Sequence, residues 1–195
     1  MDFFMPACSR RNFLRTTLCV AAGALTLASA SAQAEGIALA RIEVTQKGEF
    51  FQLAGHFEII LSSALEKALQ RGVQLTFVQA VESERERKYW LPEDIAEQER
   101  RIRLSYNALL RQYYVTLSGV TSTHEELSGA LRAVGDLRDW AVLSVKQMQK
   151  KSRYNFFVRM YLDISQLPKP LQVNALASAA RWQLDSGWQE RHVKY

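Results

Sequence analysis

From Tyr154 to Ile164 every second residue is large and apolar: Tyr154, Phe156, Val158, Met160, Leu162 and Ile164. A side-chain period of two puts all six on one face of an extended strand, whereas a helix would scatter them around its axis. So continuous an apolar face has to be covered, and the rest of the chain must supply the neighbouring strands and a second layer. Pro168 and Pro170, which have no N–H to give a ladder, stop the strand.

Other segments keep the same period. Arg41-Ile42-Glu43-Val44-Thr45 alternates, Lys47-Gly48 supplies a turn, and Phe51, Leu53, Phe57 and Ile59 form a longer strand through Gly55. Val73, Leu75, Phe77 and Gln79 begin another, and Tyr113, Val115 and Leu117 one more, after a hairpin connection from Tyr106 to Arg111. Helix signals are brief. Ser63 and Glu66 have capping-box spacing ahead of Ala64, Leu65, Ala68 and Leu69, and Gly72 ends that helix. Thr123 and Glu126 repeat the spacing and predict a helix over His124 to Val134, with a further helical turn from Asp136 to Trp140. Val142 to Met148 fits helix or strand, and Leu171 to Ala180 fits helix or irregular structure. Trp182 and Leu184 read as a last strand, followed by Gly187-Trp188. Six or seven strands with mostly short connections and one or two short helices predict a mainly antiparallel β-sandwich.

One part of the pattern is charged on both faces. The strand begun at Val73 runs on through Glu82 to Lys88, and the chain returns through Glu97 to Leu104. This predicts a protruding two-stranded antiparallel ribbon with acids and bases paired across it. Its tip, Tyr89 to Asp94, carries Tyr89, Trp90 and Leu91, large apolar side chains between charged flanks. Aromatic anchors in a polar surround are what interaction surfaces use, so these three are the candidate interaction residues. The competing reading folds Trp90 back as a lid on the core. Arg85, Arg87, Lys88, Arg100, Arg101 and Arg103 offer contacts to anionic lipid headgroups, but the interleaved acids favour a solvated ribbon.

The first 34 residues obey a different logic. Arg10, Arg11 and Arg15 precede an uncharged apolar stretch from Thr16 to Ala30, shorter than the roughly 20 residues that span a bilayer. Ala32-Gln33-Ala34 then presents the small residues of a cleavage site. Ser9-Arg10-Arg11-Asn12-Phe13-Leu14-Arg15 resembles the twin-arginine export motif, with Arg15 where lysine is usual. The alternatives are a general secretory signal and an uncleaved anchor. The expected product is a periplasmic domain of residues 35–195, released after Ala34. Cys8 and Cys19, the only cysteines, leave with the signal, so the exported domain has no disulfide, thiolate ligand or cysteine nucleophile. Three of the 25 basic and one of the 20 acidic residues leave too. The remaining mild positive charge is no nucleic-acid footprint.

No catalytic constellation is visible. His56, His124 and His192 lie far apart, no serine occupies a Gly-x-Ser-x-Gly elbow, and there is no Gly-rich phosphate loop. Glu93-Asp94 and Glu125-Glu126 are adjacent acids, whose side chains diverge. Trp182 and Trp188 read as core and edge packing, with a carbohydrate-stacking platform as the sharper alternative. No catalytic, metal or cofactor residue is assigned, and no cofactor is expected.

The strand pair around Phe51 to Ile59, the ribbon through Trp90 and Arg101-Ile102-Arg103-Leu104-Ser105-Tyr106, the segment Leu171-Gln172-Val173-Asn174-Ala175 between Pro170 and Trp182, and the closing Ser186-Gly187-Trp188 together resemble domain of unknown function 4390. That family is made up of exported proteobacterial proteins without an established activity. The resemblance therefore implies no site residues. Its genes often lie beside that of a nitrogen-regulation type two-component sensor kinase, a neighbourhood association from which the resemblance implies a link to two-component signalling. The resulting expectation is a non-catalytic binding or accessory module acting on an unidentified envelope protein. Nucleic acid is not among its expected partners, and membrane contact is expected only through the signal or weakly at the surface. The alternative is a small enzyme or ligand-binding domain whose site forms only in the fold, around His56.

Overall fold

The computed structural model describes residues 35–177 and 182–194. The export residues Arg10, Arg11, Phe13 and Leu14 and the cleavage residues Ala32 and Ala34 lie outside them. Nine strands form two antiparallel sheets among the described residues. The smaller holds β1 (Gly36–Lys47), β2 (Phe50–Ile60) and β7 (Asp136–Ser144), in that order. The larger has the order β6-β5-β4-β3-β8-β9, built from β3 (Leu75–Arg85), β4 (Glu93–Asn107), β5 (Gln112–Leu117), β6 (Val120–His124), β8 (Arg153–Leu162) and β9 (Gln189–Lys194).

The two apolar faces meet in one core, as a β-sandwich requires. Phe51, Leu53 and Phe57 of β2 are buried in the same cluster as Phe77, Val81, Ile102, Leu104, Phe156 and Val158 of the larger sheet. The alternation along β8 does what its period demands, burying Tyr154, Phe156, Val158, Met160 and Leu162. The strand stops there because Asp163 takes over: its carboxylate accepts from Ser165 N at 3.1 Å and starts a 3₁₀ turn that includes Ile164. Three helices complete the fold: α1 (Ser63–Gln70), α2 (Leu127–Gly135) and α3 (Lys169–Ala177). None of the described helices is long and apolar enough to cross a membrane.

Local differences from the sequence reading have physical causes. The cap of α1 is Ser62, one residue earlier than the Ser63 spacing implies, with its hydroxyl accepting from Leu65 N at 3.3 Å. The second capping box does not form. Thr123 and His124 belong to β6, and Glu126 begins α2 with its carboxylate capping no backbone N–H and accepting instead from Ser128 Oγ at 3.1 Å. Asp136 to Trp140, expected as a helical turn, is part of β7. There the register against β2 slips between Leu53 and Gly55, and Asp139 takes a left-handed φ of 45°. Bulges of this kind destroy the period by which a strand is read. Trp182 and Leu184 are buried without forming a strand, and the last strand, β9, follows Trp188. Of the ambiguous stretch Leu171 to Ala180, the part to Ala177 is helix and the remainder lies outside the described residues.

β3 pairs with β4 on one side and with β8 on the other as far as Arg85↔Tyr154. The expected ribbon is thus flanked by β8 along β3, Glu86 N still bonds the Arg153 carbonyl, and only the connection 87–92 stands clear of the sheet. On the other side of β4, the strand communicates with the smaller sheet through side chains. Gln98 Nε2 donates to the Val142 carbonyl at 3.0 Å and Arg100 Nη2 to the Asp136 carbonyl at 2.9 Å, both carbonyls belonging to β7.

Candidate functional site

The β3–β4 connection is short, and its foot is braced by charge. Arg85 and Arg87 both pair with the carboxylate of Glu93, the first residue of β4. The hydrogen bond from Arg87, reinforced by the charge of Arg85, holds the Glu93 carboxyl below the usual range. Glu86 N donates to the Arg153 carbonyl at 3.0 Å, and the Glu86 carboxylate pairs with the Arg153 guanidinium at 3.6 Å. Beyond this foot stand Tyr89, Trp90 and Leu91, exposed by 82 %, 80 % and 85 %. The Lys88 ammonium lies 5.5 Å from the Tyr89 ring centre. Trp90 is thus no lid on the core. Its ring faces water, where an indole gains nothing from the fold.

Behind the tip, the outer face of the larger sheet carries two successive like-charged pairs. Glu82 stands opposite Glu97, and Glu84 opposite Asp94. Such pairs oppose strand association instead of supporting it. Partial burial, and then the charges of Glu97, Glu84 and Asp94, push the Glu82 carboxyl up.

The histidines do not assemble. His56 is the cross-strand partner of Arg41 on β1 and Asp136 on β7, His124 Nε2 lies 3.0 Å from Ser122 Oγ, and His192 Nδ1 lies 2.9 Å from Asn155 Oδ1. No group of three or more histidine, cysteine or acidic side chains suited to a metal ion occurs among the described residues. Trp182 is buried in the core. Trp188 is partly exposed, with the Arg159 guanidinium 5.7 Å from its ring.

The one feature that sequence reasoning missed is a half-buried arginine. Arg100 has the same parity along β4 as Ile102 and Leu104, which places a guanidinium on the apolar face; that parity was its only signal in the sequence. Arg100 Nε donates to Gln79 Oε1 at 2.6 Å, and Gln79 Nε2 donates to the Val134 carbonyl at the end of α2, at 3.0 Å. The guanidinium also lies over the Trp140 ring, 4.5 Å from its centre. Burial pulls its pKa down to about 10, against the opposing charge of Asp136. Arg100 lines two openings. One, of about 710 Å³, lies beside Arg101, Arg103 and Glu99. The other, of about 450 Å³, lies between α2, the β5–β6 hairpin and β7.

No curated protein and no solved structure matches the chain. The family model described as a domain of unknown function (DUF4390) matches residues 34–192, and the protein accordingly belongs to that family.

Proposed function

We propose that the protein is an exported, non-catalytic binding module that docks onto another envelope protein through Tyr89, Trp90 and Leu91. The observation that supports this reading is the exposure of three consecutive large apolar side chains on a short, ion-pair-braced connection. An apolar group left in water forgoes the free energy of burial, which the surface of a partner can supply. The brace reduces the ordering cost of docking. The twin-arginine-type pattern of Ser9 to Arg15 supports a periplasmic encounter.

The experiment is photo-crosslinking in living cells from a reactive residue at position 90, with a control at Thr45, an exposed residue of β1. The expected result is one dominant envelope protein captured from position 90, absent from the control and lost when Leu91→Asp is added. Equal capture from both positions, or none from position 90, would overturn the reading.

A further inference from the structure

We propose that the opening between α2, the β5–β6 hairpin and β7 binds a small anionic molecule by its carboxylate or phosphate oxygens, with Arg100 as the anchor. This goes beyond the docking tip and does not depend on it.

Charge is the first support. Arg100, Arg132 and Arg138 line the opening against a single carboxylate, Asp136, and that carboxylate pairs with Arg138. Neither Arg100 nor Arg132 forms an ion pair among the described residues, and Arg100 feels the Asp136 charge only at a distance. A guanidinium taken partly out of water without a carboxylate in direct contact has lost hydration that a bound oxyanion would replace. The lowered pKa of Arg100 has the same origin.

Preorganisation is the second. Arg100 is held from three sides, by Gln79 Oε1, the Asp136 carbonyl and the Trp140 ring. These contacts use two of the five N–H donors that a guanidinium carries. The third nitrogen, Nη1, takes part in neither bond and is not sealed from solvent. An arginine fixed before its ligand arrives loses little side-chain freedom on binding and presents a planar fork suited to two oxygens.

The third is the shape of the walls. Ser122 and His124, joined at 3.0 Å, supply polar groups on the hairpin side. Leu117 and Ala133 supply apolar ones. A volume of about 450 Å³ admits a small molecule with a carbon skeleton behind its anionic group.

The test is titration of the ¹⁵N-labelled protein with inorganic phosphate and, separately, with succinate, at constant ionic strength. Backbone amides and the Arg100 Nε–H are followed by NMR. Saturable shifts confined to Arg100, residues 122–124 and residues 129–138 are expected with at least one probe. Binding to phosphate alone assigns a phosphate-bearing ligand, and binding to succinate alone a carboxylate. Arg100→Gln disturbs the interior, so the decisive variant is Arg132→Gln, on the exposed side of α2. It is expected to raise Kd about tenfold, the loss of one charge-assisted hydrogen bond. Leu91→Asp is expected to leave the titration unchanged. Shifts that never saturate and spread over all exposed arginines would overturn the proposal, as would saturable binding indifferent to Arg132→Gln.

Discussion

Gln79 and Arg100 face each other across the β3–β4 ladder, and a 2.6 Å hydrogen bond from Arg100 Nε to Gln79 Oε1 joins them on the core side of the sheet. Gln79 is fully buried and passes the connection on to α2 by donating to the Val134 carbonyl. Gln79→Leu keeps the volume but strands a charged donor and a carbonyl. It is expected to cost about 3 kcal/mol, the penalty for two desolvated groups left without partners. Urea unfolding followed by tryptophan fluorescence measures it, and a loss below about 0.5 kcal/mol, the range of an ordinary surface change, would contradict the network.

Two glycines of α2 separate close approach from mere permissiveness. A Cβ at Gly135 would run into the Phe57 carbonyl oxygen of β2, which is backbone and cannot step aside. Gly135→Ala is therefore expected to destabilise by about 2–3 kcal/mol, as overpacking does. A Cβ at Gly129 would rest 3.6 Å from His124 Nδ1, an ordinary contact. Gly129→Ala lies within the helix and is expected to stabilise by about 0.5–1 kcal/mol. Thermal melts of the two variants should shift in opposite directions.

The tryptophans divide by burial. Trp90→Ala removes a ring that touches water and is expected to change stability by less than about 0.5 kcal/mol. Trp182→Ala empties part of the core, where the ring is 8 % exposed, and is expected to cost about 3–5 kcal/mol. Equal losses in denaturant unfolding would refute the assignment of Trp90 to an interaction role.

The Glu82–Glu97 pair predicts a pH signature. The folded-state pKa of Glu82 is raised, so the folded protein binds this proton more readily than the unfolded chain does. Stability contributed by the site is then highest below the ordinary glutamate range and falls as pH rises through the raised value. Glu97→Gln removes one of the charges responsible. It is expected to stabilise the protein at neutral pH by up to about 0.5 kcal/mol, the site being largely solvated. The gain should vanish once the medium is acidic enough to protonate Glu82 in both states. A gain independent of pH would assign the effect to something other than charge.

What was legible in the sequence is what local period encodes. β8 and β2 appear where alternation placed them and the two-sheet core follows from them, whereas the β3–β4 pair was read from its charge, and its tip, expected over Tyr89 to Asp94, is shorter because β4 already begins at Glu93. β6 was hidden because Val120 to His124 is a short, exposed edge whose Thr-Ser-Thr run carries no apolar alternation. β7 was hidden by its bulges. The Gln79–Arg100–Asp136 arrangement was hidden for another reason: its members lie 21 and 36 positions apart along the chain, and only the sandwich brings them together. Arg100 sits in a run with Arg101 and Arg103, and in one dimension nothing but parity distinguishes the inward arginine from the outward ones.

The link from β4 to β7 has a consequence for how the sandwich comes apart. Gln98 and Arg100 hold two carbonyls of β7 with side chains, where a continuous backbone ladder would have fused the sheets along that flank. Each sheet is therefore a complete plate in its own right, and the flank between them behaves as a clasp. A two-residue exchange at positions 98 and 100 removes both side-chain links, leaves every backbone rung within either plate whole, and leaves the shared apolar core to hold the layers together.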